Sequence, residues 1–280
     1  MRLLARRRRV PVEKHDATTG RWTEAGAGQP VDCDGLTLTT YNVWNDSKHA
    51  QARYLAIAQL LSQREPDIMV FQEITPAALD IVTAQGWVRD TYARAAVVGG
   101  HARGYGLLVL SRLPLSQVTY TRLPSRQSRG FLQAELALNG SRTVVCCVHL
   151  DSGKSSARLR GWQLHRIFRA LAPLETAVVM GDFNMRDTEN RRIDSSYRDV
   201  WTELRPDEDG FTEDTSINHM RYDMKDKHRQ VRFDRVLLKG SHWVPTAIEL
   251  FGTEPIDDAL PRVFPSDHFG VQCRLTGRNP

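Results

Sequence analysis

TAVVMGDFN, residues 176–184, runs apolar through Met180 and Gly181 and then ends on Asp182 and Asn184. It reads as a short buried strand with polar groups gathered at its C-terminal end. Three further segments share that pattern. LTLTTYNVW (36–44) carries Asn42, DIMVFQE (67–73) ends on Glu73, and PSDH (265–268) brings Asp267 and His268. Buried strands deliver such side chains to one edge of a sheet, where ligand-binding loops collect. Taken singly, each has a structural explanation: a turn for Asn42, a surface carboxylate for Glu73, a G-D turn for Asp182, a cap for Asp267. Together their complementary chemistry makes that explanation a poor one.

Working outward, LTLTTYNVW alternates like a strand, and ARYLAIAQLLSQ (52–63) has apolar residues at helical spacing until Pro66 stops it. PAALDIVTAQG (76–86) reads as a helix with Pro at its start and Gly at its end. YGLLVLSR, SQVTYT, FLQAELAL and RTVVCCVHL read as four strands, followed by a basic helix over about 155–171. VRFDRVLL, WVPTAIEL and HFGVQCRL close the chain as strands. Strands outnumber helices without strict alternation, which predicts a mixed, largely antiparallel α/β protein with helices outside packed sheets. The expected organisation is an irregular basic segment over 1–35, a single domain over 36–276, and a tail over 277–280.

Hydrophobic residues make up 41% of the 280, enough for a sizeable core and too many for a disordered chain. The net charge of +5 suits a polyanionic partner but is modest for a dedicated nucleic-acid binder. Part of the excess is Arg6 to Arg9, more simply a solvated terminus than a phosphate-gripping arm. No apolar run follows those arginines, and none approaches the ~18 residues of a membrane span. Cys33, Cys146, Cys147 and Cys273 show no C-x-x-C spacing, so zinc ligation is disfavoured. Cys146 and Cys147 read as small core residues on opposite faces of one strand. A cytoplasmic, reducing setting is expected.

The strand-end groups suit phosphoester hydrolysis. Magnesium prefers oxygen ligands, typically one or two carboxylates plus phosphate oxygens and water. Asp182 is placed to accept a proton from water. A cationic His268 would stabilise charge on phosphorus, with Asp234 in RFDRVLL to orient it.

TYN (40–42), FQEI (71–74), HLDS (149–152), GDFNMRD (181–187), RFDRVLL (232–238) and PSDHFGV (265–271) together resemble the endonuclease/exonuclease/phosphatase superfamily. Within it the chain looks most like the tyrosyl-DNA phosphodiesterases, in family order from Leu36 to Leu275. The resemblance implies an α/β four-layer sandwich of two mixed, largely antiparallel β-sheets flanked by α-helices. It implies Glu73 as the principal metal ligand, with Asn42 and Asp267 on the metal side and magnesium (or manganese as substitute) as cofactor. Asp182 takes the place of the water-activating residue, Asn184 of a phosphate contact, His268 of the transition-state histidine and Asp234 of its partner. His149 and Ser152 match an H-L-E-S segment in which Asp151 replaces Glu. Arg129 and Arg186 fall where similar enzymes place arginines near a DNA end. The implied partner is a phosphodiester substrate, nucleic acid first, acted on by a monomer in DNA repair.

Two positions depart from that pattern. Trp44 stands where an acidic metal-side residue is common, with Asp46 further on, and Glu213 in FTEDT (211–215) replaces a tryptophan. An aromatic face stacks on bases for about 1–3 kcal/mol, whereas a carboxylate there is expected to repel a phosphate chain. A phospholipid headgroup, inositol phosphate or general nuclease substrate therefore stays open, since fold alone does not set specificity. So does a non-catalytic binding protein on the same scaffold, against which the intact polar set speaks. The helix arginines Arg158, Arg160 and Arg166 have two readings, a DNA groove or a solvated face.

Overall fold

The computed structural model describes residues 7–99 and 104–278. Two sheets face each other. The first has the strand order β1 (Arg7–Val10), β8 (Gln117–Arg122), β9 (Gly130–Leu138), β10 (Ser141–His149), β11 (Thr176–Asp182), β15 (Asp234–Lys239), β12 (Tyr197–Asp199). The second runs β16 (Trp243–Phe251), β17 (Gly270–Gly277), β4 (Gly35–Asn42), β5 (Ile68–Ile74), β7 (Gly106–Ser111), β6 (Ala93–Val97), β2 (Glu13–Asp16), β3 (Arg21–Glu24). A hairpin-like pair, β13 (Glu213–Asp214) with β14 (Gln230–Val231), stands apart. Pairing is antiparallel in both sheets except at β4·β5 and β10·β11.

Alternation along the strands builds the layers. In β11, Val178 and Met180 enter the core between the sheets, where they meet Leu38, Val70 and Val271 of the second sheet. Ala177 and Val179 turn outward onto Leu164, Ile167 and Leu171 of α4 (Ala157–Leu171). Cys147 and Cys146 divide the same way. On the opposite exterior, Tyr41, Met69 and Phe71 pack under α1 (Ala50–Ser62) and α2 (Pro76–Thr83). The result is the expected sandwich: helix, sheet, sheet, helix.

The N-terminal segment corrects the sequence reading. Residues 7–24 form three short strands: β1 edges the first sheet against β8, while the β2–β3 hairpin extends the second through β6. Their side chains are mostly exposed, so backbone pairing rather than apolar periodicity holds them. Arg7 to Arg9 thus lie in an edge strand, where charge is common; Arg6 lies outside the described residues. At the other end β17 extends to Gly277 and Arg278 N donates to His242 O at 2.9 Å, so the expected tail is shorter.

Two element boundaries also differ. Thr75 caps α2 by accepting from Ala78 N at 3.1 Å, but the helix stops at Thr83. Gly86 then opens a new helix, α3 (Gly86–Thr91), rather than closing the old one. VRFDRVLL splits, because Val231 belongs to β14 and Asp234 begins β15. The chain also forms α5 (Val200–Leu204) and α6 (His219–Lys225) between β12 and β15.

Candidate active site

The two parallel pairs aim the chemistry. In β4·β5, Asn42 pairs with Gln72 just before Glu73; in β10·β11, His149 pairs with Asp182. Antiparallel β15 begins with Asp234 opposite Asp182, and Asp267 and His268 precede β17. These ends open on one cleft of about 590 Å³. Gly181, at φ +138, is required here: a Cβ would lie 2.1 Å from Val148 O, pushing β11 off β10 beside the site.

Asp182 is 1% exposed and accepts from three amide N–H groups. Its Oδ1 accepts from Asn184 N at 2.7 Å, and its Oδ2 from Asn184 Nδ2 at 2.9 Å and Asn42 Nδ2 at 3.0 Å. Burial pushes its pKa up, yet the His149 hydrogen bond and the His268 charge outweigh burial and hold it well below the usual carboxylate range. Asp182 is therefore an anion fixed in orientation.

His268 Nδ1 lies 2.7 Å from Asp234 Oδ2. Burial opposes its protonation, but Asp234, then Asp267 and Asp182, outweigh burial and raise it well above an ordinary histidine. Thr212 and Ser266 hold this pair in place. Thr212 Oγ1 accepts from Phe233 N and Asp234 N, and Thr212 O from Phe269 N. Ser266 Oγ donates to Asn42 O at 2.6 Å and accepts from His268 N.

His149 links the two sheets. Arg129 Nη1 lies 2.9 Å from its Nδ1, and a guanidinium can only donate, so Nδ1 is the acceptor and the ring proton sits on Nε2. That Nε2 faces Asp182 Oδ2 at 3.3 Å and Glu73 Oε1 at 3.8 Å. Glu73 sits at a β-bulge with φ 61, a left-handed conformation that turns its side chain into the cleft. Trp44 and Asn184 are left-handed as well, at φ 56 and φ 50. Three strained residues at strand ends around one cleft are what a constrained site leaves behind.

Asp182, Asp234 and His268 bring ligand atoms within 4.8 Å of one another, close enough for a metal. Their atoms are committed elsewhere, however: Nδ1 to Asp234, and both Asp182 oxygens to amides. The open oxygen donors are Glu73 and Asp267. Glu73 Oε2 takes only Asn45 N, and the pKa of Asp267 is pushed up to about 6, chiefly by burial, with Glu73 adding to it. An Asp267 carboxyl raised by burial and by the neighbouring Glu73, with oxygen donors around it, fits a hard divalent cation. Asn42 Oδ1 accepts from Trp44 N at 3.0 Å and keeps a second lone pair toward that side.

Arg129, Arg186 and Ser152 all line the cleft. Ser152 is tied to Gln127, whose Nε2 donates to its Oγ at 2.8 Å. Asp151 does not face the cleft freely; it accepts from Ser125 Oγ and Arg126 N, shaping the loop that carries Arg129. Arg160 belongs to neither reading of the helix arginines. It is 1% exposed, with Nη2 on Glu189 Oε1 at 2.6 Å and Nη1 on the carbonyls of Asp151 and Gly153.

Both departures resolve structurally. Trp44 is core, packed with Met220, Phe264 and Phe269 under the Arg53 guanidinium. Glu213 overturns the repulsion expected of it. Its Oε1 accepts from Arg221 Nε at 2.9 Å and its Oε2 from Arg229 Nη1 at 3.0 Å. Arg53 was missed outright; fully buried, it donates to the carbonyls of Val43, Trp44, Asp46, Lys48 and Pro265. An arginine on the apolar face of α1 was the available signal. The M-R-D and R-F-D-R segments meet as ion pairs: Arg235 reaches Asp187 and Asp199, each at 3.0 Å, and Arg232 clamps Asp199.

Comparison with known proteins gives the family and the fold. A model described as the Endonuclease/Exonuclease/phosphatase family matches residues 39–268. Tyrosyl-DNA phosphodiesterase 2 of Gallus gallus is 27% identical over 257 residues, covering 86% of this chain and 66% of its own length. Its Xenopus laevis counterpart is 28% identical over 262 residues, covering 88% and 67%. The chain thus spans about two thirds of these relatives. In fold it is similar to D. rerio TDP2 complexed with single strand DNA product, at TM-score 0.78 and 23% identity over 86% of this chain and 99% of that one.

Proposed function

This chain belongs to the endonuclease/exonuclease/phosphatase family, and we propose that it is a magnesium-dependent phosphodiesterase acting on DNA-end phosphodiesters, 5′-tyrosyl ends among them. The observation that carries this reading is the convergence of Glu73 and Asp182 on one nitrogen of His149, beside the His268–Asp234 pair.

A phosphate in the cleft meets the cationic His268, a donor suited to its oxygens, while His149 and Asn184 hold Asp182 in place beside it. Asp182, ionised and immobile, accepts a hydrogen bond from the attacking water and orients it in line with the leaving group. Its depressed pKa keeps it ionised, so the proton passes from water to Asp182 as the new O–P bond forms and the P–O bond to the leaving oxygen breaks. His268, charged by its carboxylate neighbours, offsets that developing charge. Magnesium held by Glu73 and Asp267, with Asn42 beside them, would neutralise the phosphate and the departing oxygen. A phenolate leaving group, with a pKa near ~10, needs little help from a general acid. Relatives named tyrosyl-DNA phosphodiesterase 2 support that choice of ester.

The test is a cleavage panel in magnesium: a 5′-tyrosyl oligonucleotide, abasic DNA, and a sphingomyelin-like ester, with Asp182→Asn as blank. Release of tyrosine, abolished by chelation and absent from the blank, is expected. An intact tyrosyl oligonucleotide beside a cleaved lipid ester would overturn the DNA-end assignment.

A further inference from the structure

Glu213 offers more than a resolved anomaly. It is 2% exposed, it sits in β13 opposite Val231, and both of its oxygens are occupied by guanidinium groups. One carboxylate thereby holds two arginines at the rim of the cleft. Arg221 spends only Nε on Glu213, and Arg229 only Nη1. The remaining N–H groups of both have no protein acceptor among the described residues, and none of their nitrogens is buried without one. Side-chain exposures of 13% and 29% leave those forks open to the cleft that both residues line.

Charge around them favours an anion. Arg221 also lies 3.6 Å from Asp267, so it is partly spent on the metal side. Arg229 has no second carboxylate among the described residues, and Lys225 and Lys227 line the same cleft without an ion-pair partner there. The lobe is also rigidly placed. Thr212, the residue before Glu213, holds Asp234 and Phe269, and Asn218 Nδ2 donates to Ser266 O at 2.8 Å. The arginines are therefore at a fixed offset from His268.

We propose that Glu213, Arg221 and Arg229 form a second phosphate-binding subsite, which takes a backbone phosphate of a single-stranded nucleic acid away from the bond being cut. It rests on the phosphodiesterase reading for its substrate class. Arg229 makes the contact through its open fork, planar guanidinium to phosphate. Glu213 is the positioning residue that orients it. Where a tryptophan would stack on a base, this chain grips the backbone instead, so its affinity is indifferent to base identity and sensitive to salt.

The experiment is fluorescence anisotropy of labelled single-stranded oligonucleotides, one and eight nucleotides long, binding to Asp182→Asn protein with and without Arg229→Ala. Turnover is not needed, so the result stands apart from the hydrolysis reading, which hydrolysis of a mononucleotide p-nitrophenyl ester by the wild-type chain tests separately. Arg229→Ala is expected to weaken the eight-nucleotide strand about ten-fold and leave the mononucleotide unchanged. The slope of log affinity against log salt should fall by about 0.7, the value for one phosphate contact on a single strand. Arg229→Lys should restore the slope. An eight-nucleotide strand that does not bind, an unchanged affinity, or an equal loss at both lengths would each overturn the subsite, the last by showing a merely structural effect.

Discussion

The β4·β5 pair and the β10·β11 pair have one local geometry and two outcomes. Each is the parallel pair of its sheet, and each points its C-terminal ends into the same cleft. At the end of β11, Asp182 is saturated with donors, nine-tenths and more buried, and held as an anion. At the end of β5, a bulge turns Glu73 outward with Oε1 free of backbone partners. A saturated carboxylate can orient but not coordinate. An open one can coordinate a cation but is free to move until the cation arrives. On the proposed mechanism, equivalent strand ends divide proton handling from cation holding by how many donors each carboxylate meets.

The largest effect should come from breaking the saturated side. Asp182→Asn keeps the shape, yet its new amide N–H meets the donors of Asn42 and Asn184, and its amide oxygen is too weak a base to take a proton from water. A loss of about 10²- to 10⁴-fold in kcat is expected, with magnesium unable to recover it. A variant rescued by excess magnesium would show that Asp182 is a metal ligand, and the division would be wrong. On the open side, Glu73→Gln should cost at least about 10-fold at limiting magnesium and recover in part as the metal is raised. Titrating activity against metal concentration separates the two, because only the second should shift its midpoint.

Smaller effects test the frame that holds the two halves. Asp187 has its pKa raised by burial but, on balance, lowered by Arg235 and Arg232. A carboxyl depressed in the fold contributes stability above its unfolded value of about 3.9, and that contribution fades as pH falls through the lower folded value. Asp187 is 61% exposed, so solvent screening keeps the term below about 1 kcal/mol. Urea unfolding of Asp187→Asn beside the wild type should show a small deficit at pH 7 that shrinks once the pH falls below about 3.9; a deficit that widens in acid would refute it.

The least change is expected of the interior thiols. Burial pushes Cys147 and Cys273, one in each sheet, up to about 12, and Cys146 well above the usual range. At pH 8 iodoacetamide should modify the half-buried Cys33 alone in the native state, as peptide mapping would reveal. Labelling of Cys147 without unfolding would mean that the sheets part more readily than their packing implies.

Much of this was legible in the residue order. The continuous apolar run of TAVVMGD and the alternation of LTLTTYN located two inner strands, since a strand covered on both faces needs apolar residues throughout and one with a single buried face a period of two. Short edge strands such as β1 and β3 were invisible for the converse reason. Each is held on one side by backbone pairing, β1 to β8 far along the chain and β3 to β2 nearby, and their side chains are mostly solvated. Glu213 was legible as a departure but misread in sign, since a carboxylate's effect depends on partners 8 and 16 residues away along the chain. Arg53 and Thr212 left only a faint trace, because what they bind is backbone carbonyl and amide, which every residue carries.

By itself the sequence determined which side chains are available and that each lies at the end of an apolar run, since local periodicity is a property of neighbours along the chain. Tertiary structure alone decided the tautomer of His149, the saturation of Asp182 and the pairing of Glu213 with two arginines. Those depend on distances between segments as far apart as Asn42 and Asp182, and no local pattern encodes a distance across a fold.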